Sequence, residues 1–356
     1  MATTTDTGRA LPIAWTPLDQ RIWEEELDPV VPARLFDVHT HVYLREHIGA
    51  GSPELQTIPF AQLYPSATWD DLDAADALLM PGRTIHRTAF GFPFLKVDFD
   101  AINRFTIRES RKDSASGAFL LVHPRMTQAQ VEEQILHEGF LGLKPYRLYS
   151  TTGDVKECRI TDYFPEHQMA VADRYELPVI LQLSKSRGVA DPDNIGDLER
   201  LTAKYPRVKW VLAHCARGFY PQPLERVGER LAKLPGVYFD TAAVCEYGSY
   251  DYLLELVGPG RILWGSDDLP ACADRGKYMT WGEGWSHINA DVIGGIRSTA
   301  CDLSLTFIRY EVLRALCRAI RRHRLSPPEV QAIFHDNAAA IIDTARRNVS
   351  QRKVAS

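Results

Sequence analysis

Two histidines stand one residue apart, behind an aspartate, in the stretch FDVHTHVYL, residues 36–44. Phe36 and Val38 are strand-forming types, so the run that begins at Arg34 reads as a strand. Alternate side chains of a strand share a face, which sets Asp37, His39 and His41 on one side and Phe36 and Val38 on the other. The two imidazoles lie about 7 Å apart along such a strand and can converge on one metal ion. Other polar residues close apolar runs further along. His123 follows GAFLLV; Lys144, Tyr146 and Arg147 fall in GLKPYR; and Gln182 and Ser184 precede Lys185 and Arg187. His214 is followed by Cys215 and Arg217, and Asp267 and Asp268 end WGSDD. Imidazoles and carboxylates bind divalent metals and move protons, and guanidinium groups grip carboxylates with paired hydrogen bonds. Taken singly, a strand-end histidine is usually a packing residue and a loop arginine is usually solvated. Their concentration at the ends of at least five apolar runs is what calls for a frame.

Strand and helix signals alternate from residue 34 onward. TIHRTAFGF (84–92) follows a loop-rich insertion, and VDFDAINRFTIRESRKD is helical. GAFLLVHP reads as a strand and TQAQVEEQILHEG as a helix, with Thr127 as N-cap and Gly139 just past its end. FLGLKPY, PVILQLS, VKWVLAHC, GVYFDTAAV and RILWGSDD read as strands. TDYFPEHQMAVADRY, IGDLERLTAKY, PLERVGERLAKL and YDYLLELVG are the helices between them. Eight apolar strands alternating with amphipathic helices imply a parallel sheet covered by helices, closed as a (β/α)8 TIM barrel. In that frame the polar strand ends meet at the C-terminal mouth. By alternation Lys144 and Tyr146 share one face of strand 4, and Ile180, Gln182 and Ser184 share one face of strand 5. The Gly- and Trp-rich stretch 267–304 is expected to cover the mouth, and two helices near 305–323 and 327–346 to close the chain. Residues 1–33 read as an irregular lead-in with a short acidic helix at QRIWEEEL, 34–346 as the barrel and 347–356 as a tail.

Composition narrows the function. The chain has 356 residues, 45% of them hydrophobic, and a net charge of −5, which gives no electrostatic footprint for nucleic acid or an acidic membrane. Six cysteines without a CxxC pair argue against a disulfide scaffold and a cysteine zinc site. No apolar run reaches the length of a membrane span and the N-terminus lacks a signal peptide's apolar core, so the expected location is cytoplasmic.

HxH on strand 1, the AHC histidine on strand 6 and WGSDDLP on strand 8 resemble the amidohydrolase superfamily. More narrowly they resemble its amidohydrolase-related branch of metal-dependent hydrolases and nonoxidative decarboxylases. LPGVYFDTAA and IFHDNAAAII are similar to further stretches of that branch. The resemblance implies His39, His41, Asp267 and His214 as metal ligands, with Asp267 and His214 also catalytic. It implies a divalent metal, most simply zinc, and a substrate contact at Lys144. Arg147, Lys185, Arg187 and Arg217 follow strands on the mouth side and, with Tyr146 and Gln182, are the further substrate contacts expected from their position. One position departs from the family: Gln182 stands where a strand-5 histidine ligand is usual, which leaves a metal-free site open. The leading expectation is a hydrolase of a small carboxylated lactone, amide or ring compound. A nonoxidative decarboxylase of an aromatic or enol acid and a catalytically inactive barrel used as a binding protein are the alternatives. The partner expected is a small anionic molecule, with no nucleic acid and no membrane, in a fold compatible with a homo-oligomer.

Overall fold

A computed structural model of the chain describes residues 11–57, 64–269, 273–294 and 304–355. Eight parallel strands form one sheet in sequence order: β1 (Arg34–Val42), β2 (Thr84–Gly91), β3 (Gly117–Val122), β4 (Gly142–Pro145), β5 (Pro178–Leu181), β6 (Lys209–Leu212), β7 (Val237–Asp240) and β8 (Ile262–Leu263). The ring closes through the extended residues after β8. Val38 donates its N–H to the Trp264 carbonyl at 3.1 Å, Asp267 to His39 at 2.8 Å, and His41 to Asp268 at 2.7 Å. Closure needs a close approach at Gly265, where a Cβ would stand 3.0 Å from the His39 Cβ and 3.3 Å from Val38 Cγ2. The fold is the expected TIM barrel, with strands such as β3 buried along their whole length because helices cover the outside.

Local signals explain most helix limits. Thr127 caps Gln128–Glu133 in a capping box with Gln130, and the helix runs on to Glu138 before Gly139 ends it at φ 92°. TDYFPEHQMAVADRY, expected as one helix, is two, Ile160–Tyr163 and Glu166–Tyr175. Pro165 separates them, because a proline drives the residue before it, here Phe164 at φ −134°, out of the helical region. The lead-in is more ordered than expected. Thr16 caps Pro17–Arg21, helical turns continue through Leu27, and buried Asp19 binds Arg275 at 2.6 Å and Thr306 at 2.7 Å. The C-terminal helices are Ile308–His323 and a run from Pro327 to Ala355, so the segment expected as a tail is helical.

The stretch after β8 folds in part as a hairpin of β9 (Lys277–Trp281) and β10 (Gly284–Ile288), while residues 270–272 and 295–303 of it lie outside the described residues. Outside the barrel, Arg309 pairs with Asp76 at 2.6 Å and with Asp268, and Arg87 pairs with Asp73 at 2.7 Å and Asp76 at 2.5 Å. This buried network ties helix Ile308–His323 to the end of strand 8.

Candidate active site

His39 and His41 project from the C-terminal end of β1, past an irregularity in the β1–β2 register between Asp37 and Thr40. Asp267 sits opposite, with its backbone at φ 67° turning the carboxylate inward. Its Oδ1 lies 3.3 Å from His39 Nε2 and 3.2 Å from His41 Nε2. The three residues form one buried cluster with metal-ligand spacing.

The protonation of His39 follows from its other side. Its Nδ1 lies 2.9 Å from Oδ2 of Asp240, a fully buried carboxylate at the end of β7. Burial first, then the Lys144 charge, holds the His39 pKa well below the ordinary imidazole value, so the ring is neutral. A neutral ring that donates Nδ1–H to a carboxylate presents a bare lone pair at Nε2. That lone pair faces the Asp267 oxygen, so two acceptors stand together and call for a cation between them. Burial raises the Asp267 pKa, but its contacts with the His39, His41 and His214 rings, the His41 hydrogen bond among them, outweigh that and hold the value at about 2. Lys144 supplies one positive charge: its Nζ is 3.3 Å from His39 Nε2 and its pKa is pushed down to about 8, by burial, against the pull of Asp240 and Asp267. Two neutral imidazoles and a carboxylate that converge in this way suit a divalent ion such as zinc.

The opposite wall is built differently. After β6 the chain makes a left-handed turn, with His214, Cys215, Ala216 and Arg217 at φ 57°, 51°, 60° and 61°. None is glycine, so each costs roughly 1–2 kcal/mol relative to ordinary backbone. The turn aims two side chains of a sharp bend at one cavity. His214 Nδ1 is 2.9 Å from the Ala242 carbonyl, which can only accept, so Nδ1 carries the proton in the neutral ring. Nε2 is then an acceptor, 3.3 Å from the Gln182 amide nitrogen. Arg217 donates to the Leu183 carbonyl at 3.1 Å and Arg147 to the Val155 carbonyl at 2.5 Å. Both leave Nε buried and unpaired, and neither has an acid partner among the described residues. Burial first, then the Arg147 charge, lowers the Arg217 pKa to about 10.

These residues line a cavity of about 160 Å³ with Phe92, Tyr146, Gln182 and Asp267. The roof is aromatic. Phe219 stacks on Trp285 of β10 with ring centres 4.0 Å apart, and on His214 at 5.5 Å, while Tyr278 of β9 packs beside them.

With this geometry in hand, the amidohydrolase family model matches residues 36–343. The chain belongs to the amidohydrolase family. Comparison with curated protein sequences gives no match. Solved structures share the fold at low identity. An amidohydrolase from Burkholderia multivorans with bound HEPES is 15% identical over 87% of this chain and 99% of its own, with TM-score 0.58, and a second crystal form of an amidohydrolase from that organism contains zinc. A candidate 2-pyrone-4,6-dicarboxylic acid hydrolase from Pseudomonas putida is 15% identical over 88% and 98%, with TM-score 0.54. A 4-oxalomesaconate hydratase from Rhodopseudomonas palustris is 14% identical over 90% and 100%, with TM-score 0.54. Among the described residues no helix is long and apolar enough to cross a membrane.

Within this family member the residues singled out in the sequence separate into groups. His39, His41 and Asp267 form the cluster, and Lys144 lies against it. His214 stands beside the cluster, its ring 5.2 Å from that of His39, and outside the set with metal-ligand spacing. Tyr146, Arg147, Gln182 and Arg217 line the cavity, but Lys185 and Arg187 do not. Lys185 turns away at φ 66° to pair with Asp193 at 3.1 Å, and exposed Arg187 lies 3.9 Å from Asp191. His123 lines a separate groove with Phe99 and Arg104. Asp268 is consumed by Arg309. Asp240 and Phe219 were not singled out. The signals for the first were an aspartate closing the apolar run GVYFD and the similarity of LPGVYFDTAA to the family branch.

Proposed function

We propose that this amidohydrolase hydrolyses a small carboxylated lactone, amide or ring compound, with a divalent ion, zinc by preference, held by His39, His41 and Asp267. The observation that carries the reading is the pairing of the His39 Nε2 lone pair and a carboxylate oxygen on one wall with two guanidinium groups on the other that have no ion-pair partner among the described residues. The nitrogen–oxygen donor set and the zinc of the Burkholderia neighbour both favour that ion. When bound, such an ion supplies Lewis acidity, which polarises a carbonyl and lowers the pKa of water.

The chain's own residues divide the remaining work. Arg147 and Arg217 bind the substrate carboxylate and so fix the reacting carbon over the cluster. Asp267 remains ionised near neutral pH and accepts a proton from the attacking water. His214 offers an acceptor at Nε2 while neutral, so it takes or relays a proton; to polarise a carbonyl it must first become an imidazolium. The aromatic roof excludes water and packs on a planar substrate. That roof also favours the second reading, nonoxidative decarboxylation of an aromatic or enol acid, in which Asp267 or His214 first takes a proton from water and delivers it to the ring carbon as the bond from that carbon to the carboxylate breaks and CO2 leaves. An inactive binding barrel is disfavoured, because converging buried ionisable groups cost stability without return.

The test begins with metal content of the purified protein. Lactones, amides and hydroxybenzoates, each as acid and as methyl ester, are then followed for ring opening or hydrolysis and for CO2 release. Hydrolysis of acids with esters untouched supports the reading; CO2 release selects the alternative. Absence of both, in protein loaded with zinc, overturns it.

A further inference from the structure

Asp240 belongs to no group considered so far, yet it touches both walls. Its Oδ2 accepts from His39 Nδ1 at 2.9 Å, on the cluster side. Its Oδ1 accepts the His214 backbone N–H at 2.7 Å and the Ala242 N–H at 3.2 Å, on the cavity side. The carboxylate is completely buried at the end of β7, between β6 and β8. The His214 N–H is the first donor of the left-handed turn, and the Ala242 carbonyl is the group that fixes the His214 tautomer. One oxygen therefore sets which nitrogen of His39 carries the proton. The other anchors the turn that presents His214 and Arg217.

We propose that Asp240 is a positioning residue that joins the two halves of the site, holding His39 as the Nδ1–H tautomer and pinning the His214–Arg217 turn. The metal part of this inference rests on the reading above; the tautomer part does not. Outer-shell carboxylates of this kind fix ligand orientation, and their loss lowers metal affinity by about 10–100-fold.

Asparagine separates the two roles. In Asp240→Asn the amide oxygen still accepts from His214 and Ala242, while the NH2 group faces His39 Nδ1 and donates to it. The His39 proton must then move to Nε2, where it blocks the lone pair that faces Asp267. The experiment compares wild type, Asp240→Asn and Asp240→Ala, each without metal and after zinc loading. Histidine 15N chemical shifts of the metal-free proteins read the His39 tautomer directly. Zinc retained after dialysis against a weak chelator reads the ligand, and KM for an anionic substrate reads the turn. Asp240→Asn is expected to shift His39 to the Nε2–H form and to lower zinc affinity about 10–100-fold, with KM changed less than about threefold. Asp240→Ala is expected to lower zinc affinity and to raise KM as well. Wild-type His39 found as the Nε2–H tautomer overturns the proposal even if neither variant folds. So does an Asp240→Asn protein with wild-type tautomer and zinc retention. If wild type itself retains no zinc, the metal reading fails, and the tautomer result still decides the role of Asp240.

Discussion

The two walls of the cavity reach it by different means. On the β1, β7 and β8 side, His39, His41 and Asp240 extend from barrel strands, and their places follow from strand order despite the register irregularity in β1. On the β5, β6 and hairpin side, His214 and Arg217 come from a left-handed turn and Trp285 and Tyr278 from a two-stranded roof. The first wall is a property of the barrel. The second is built from connecting segments, which is where enzymes on this frame vary their substrates. On the proposed reading the metal-binding cluster sits on the strand-built half, and most of the substrate contacts, with His214, on the irregular half.

The sharpest way to break that division is Asp267→Asn. The amide keeps the shape and loses the proton acceptor, so kcat should fall about 100-fold or more while the melting curve stays close to wild type. A rise in KM with kcat unchanged would put Asp267 on the selective side instead. Arg217→Ala comes next. Losing a hydrogen bond to a charged group should raise KM for an acid about 10–100-fold, with zinc retention unchanged. Lys185→Ala and Arg187→Ala, run beside it, should stay within about twofold, since their pairs are with Asp193 and Asp191. Equal effects at all three basic positions would erase the distinction between cavity and surface charge.

Gln182→His probes the seam between the walls. An imidazole is a stronger zinc ligand than an amide, so the variant should retain several-fold more zinc in the chelator assay. Equal retention in a folded variant would show that position 182 serves only the cavity. The smallest effect is expected at the roof: Trp285→Ala removes one stacked ring and should raise KM roughly 2–10-fold for planar acids. An unchanged KM would assign the hairpin to cover alone.

How far each wall could be read from the sequence follows the same split. Alternation along FDVHTHVYL placed His39 and His41 together, because period-two geometry leaves little freedom; Asp267 was placed near them only by its position after strand 8, and its inward turn at φ 67° was not legible. Asp240 obeys the same geometry, but a single acid after an apolar run looks like any strand end until its partners are known. In AHCARG nothing announces four consecutive left-handed residues, because those types ordinarily avoid that region. Lys185 follows β5 on the mouth side as expected, but nothing in the sequence shows that it pairs there with Asp193.

That turn has a consequence for how the protein would respond to selection. In a laboratory population sorted only for heat survival, glycine at 215 or 216 relieves local backbone cost and should be among the early winners. A population sorted for turnover should reject the same change, because a pliant bend lets His214 and Arg217 wander from their common target. Sequencing both populations would reveal opposing pressures on a four-residue stretch that, written as letters, looks wholly ordinary.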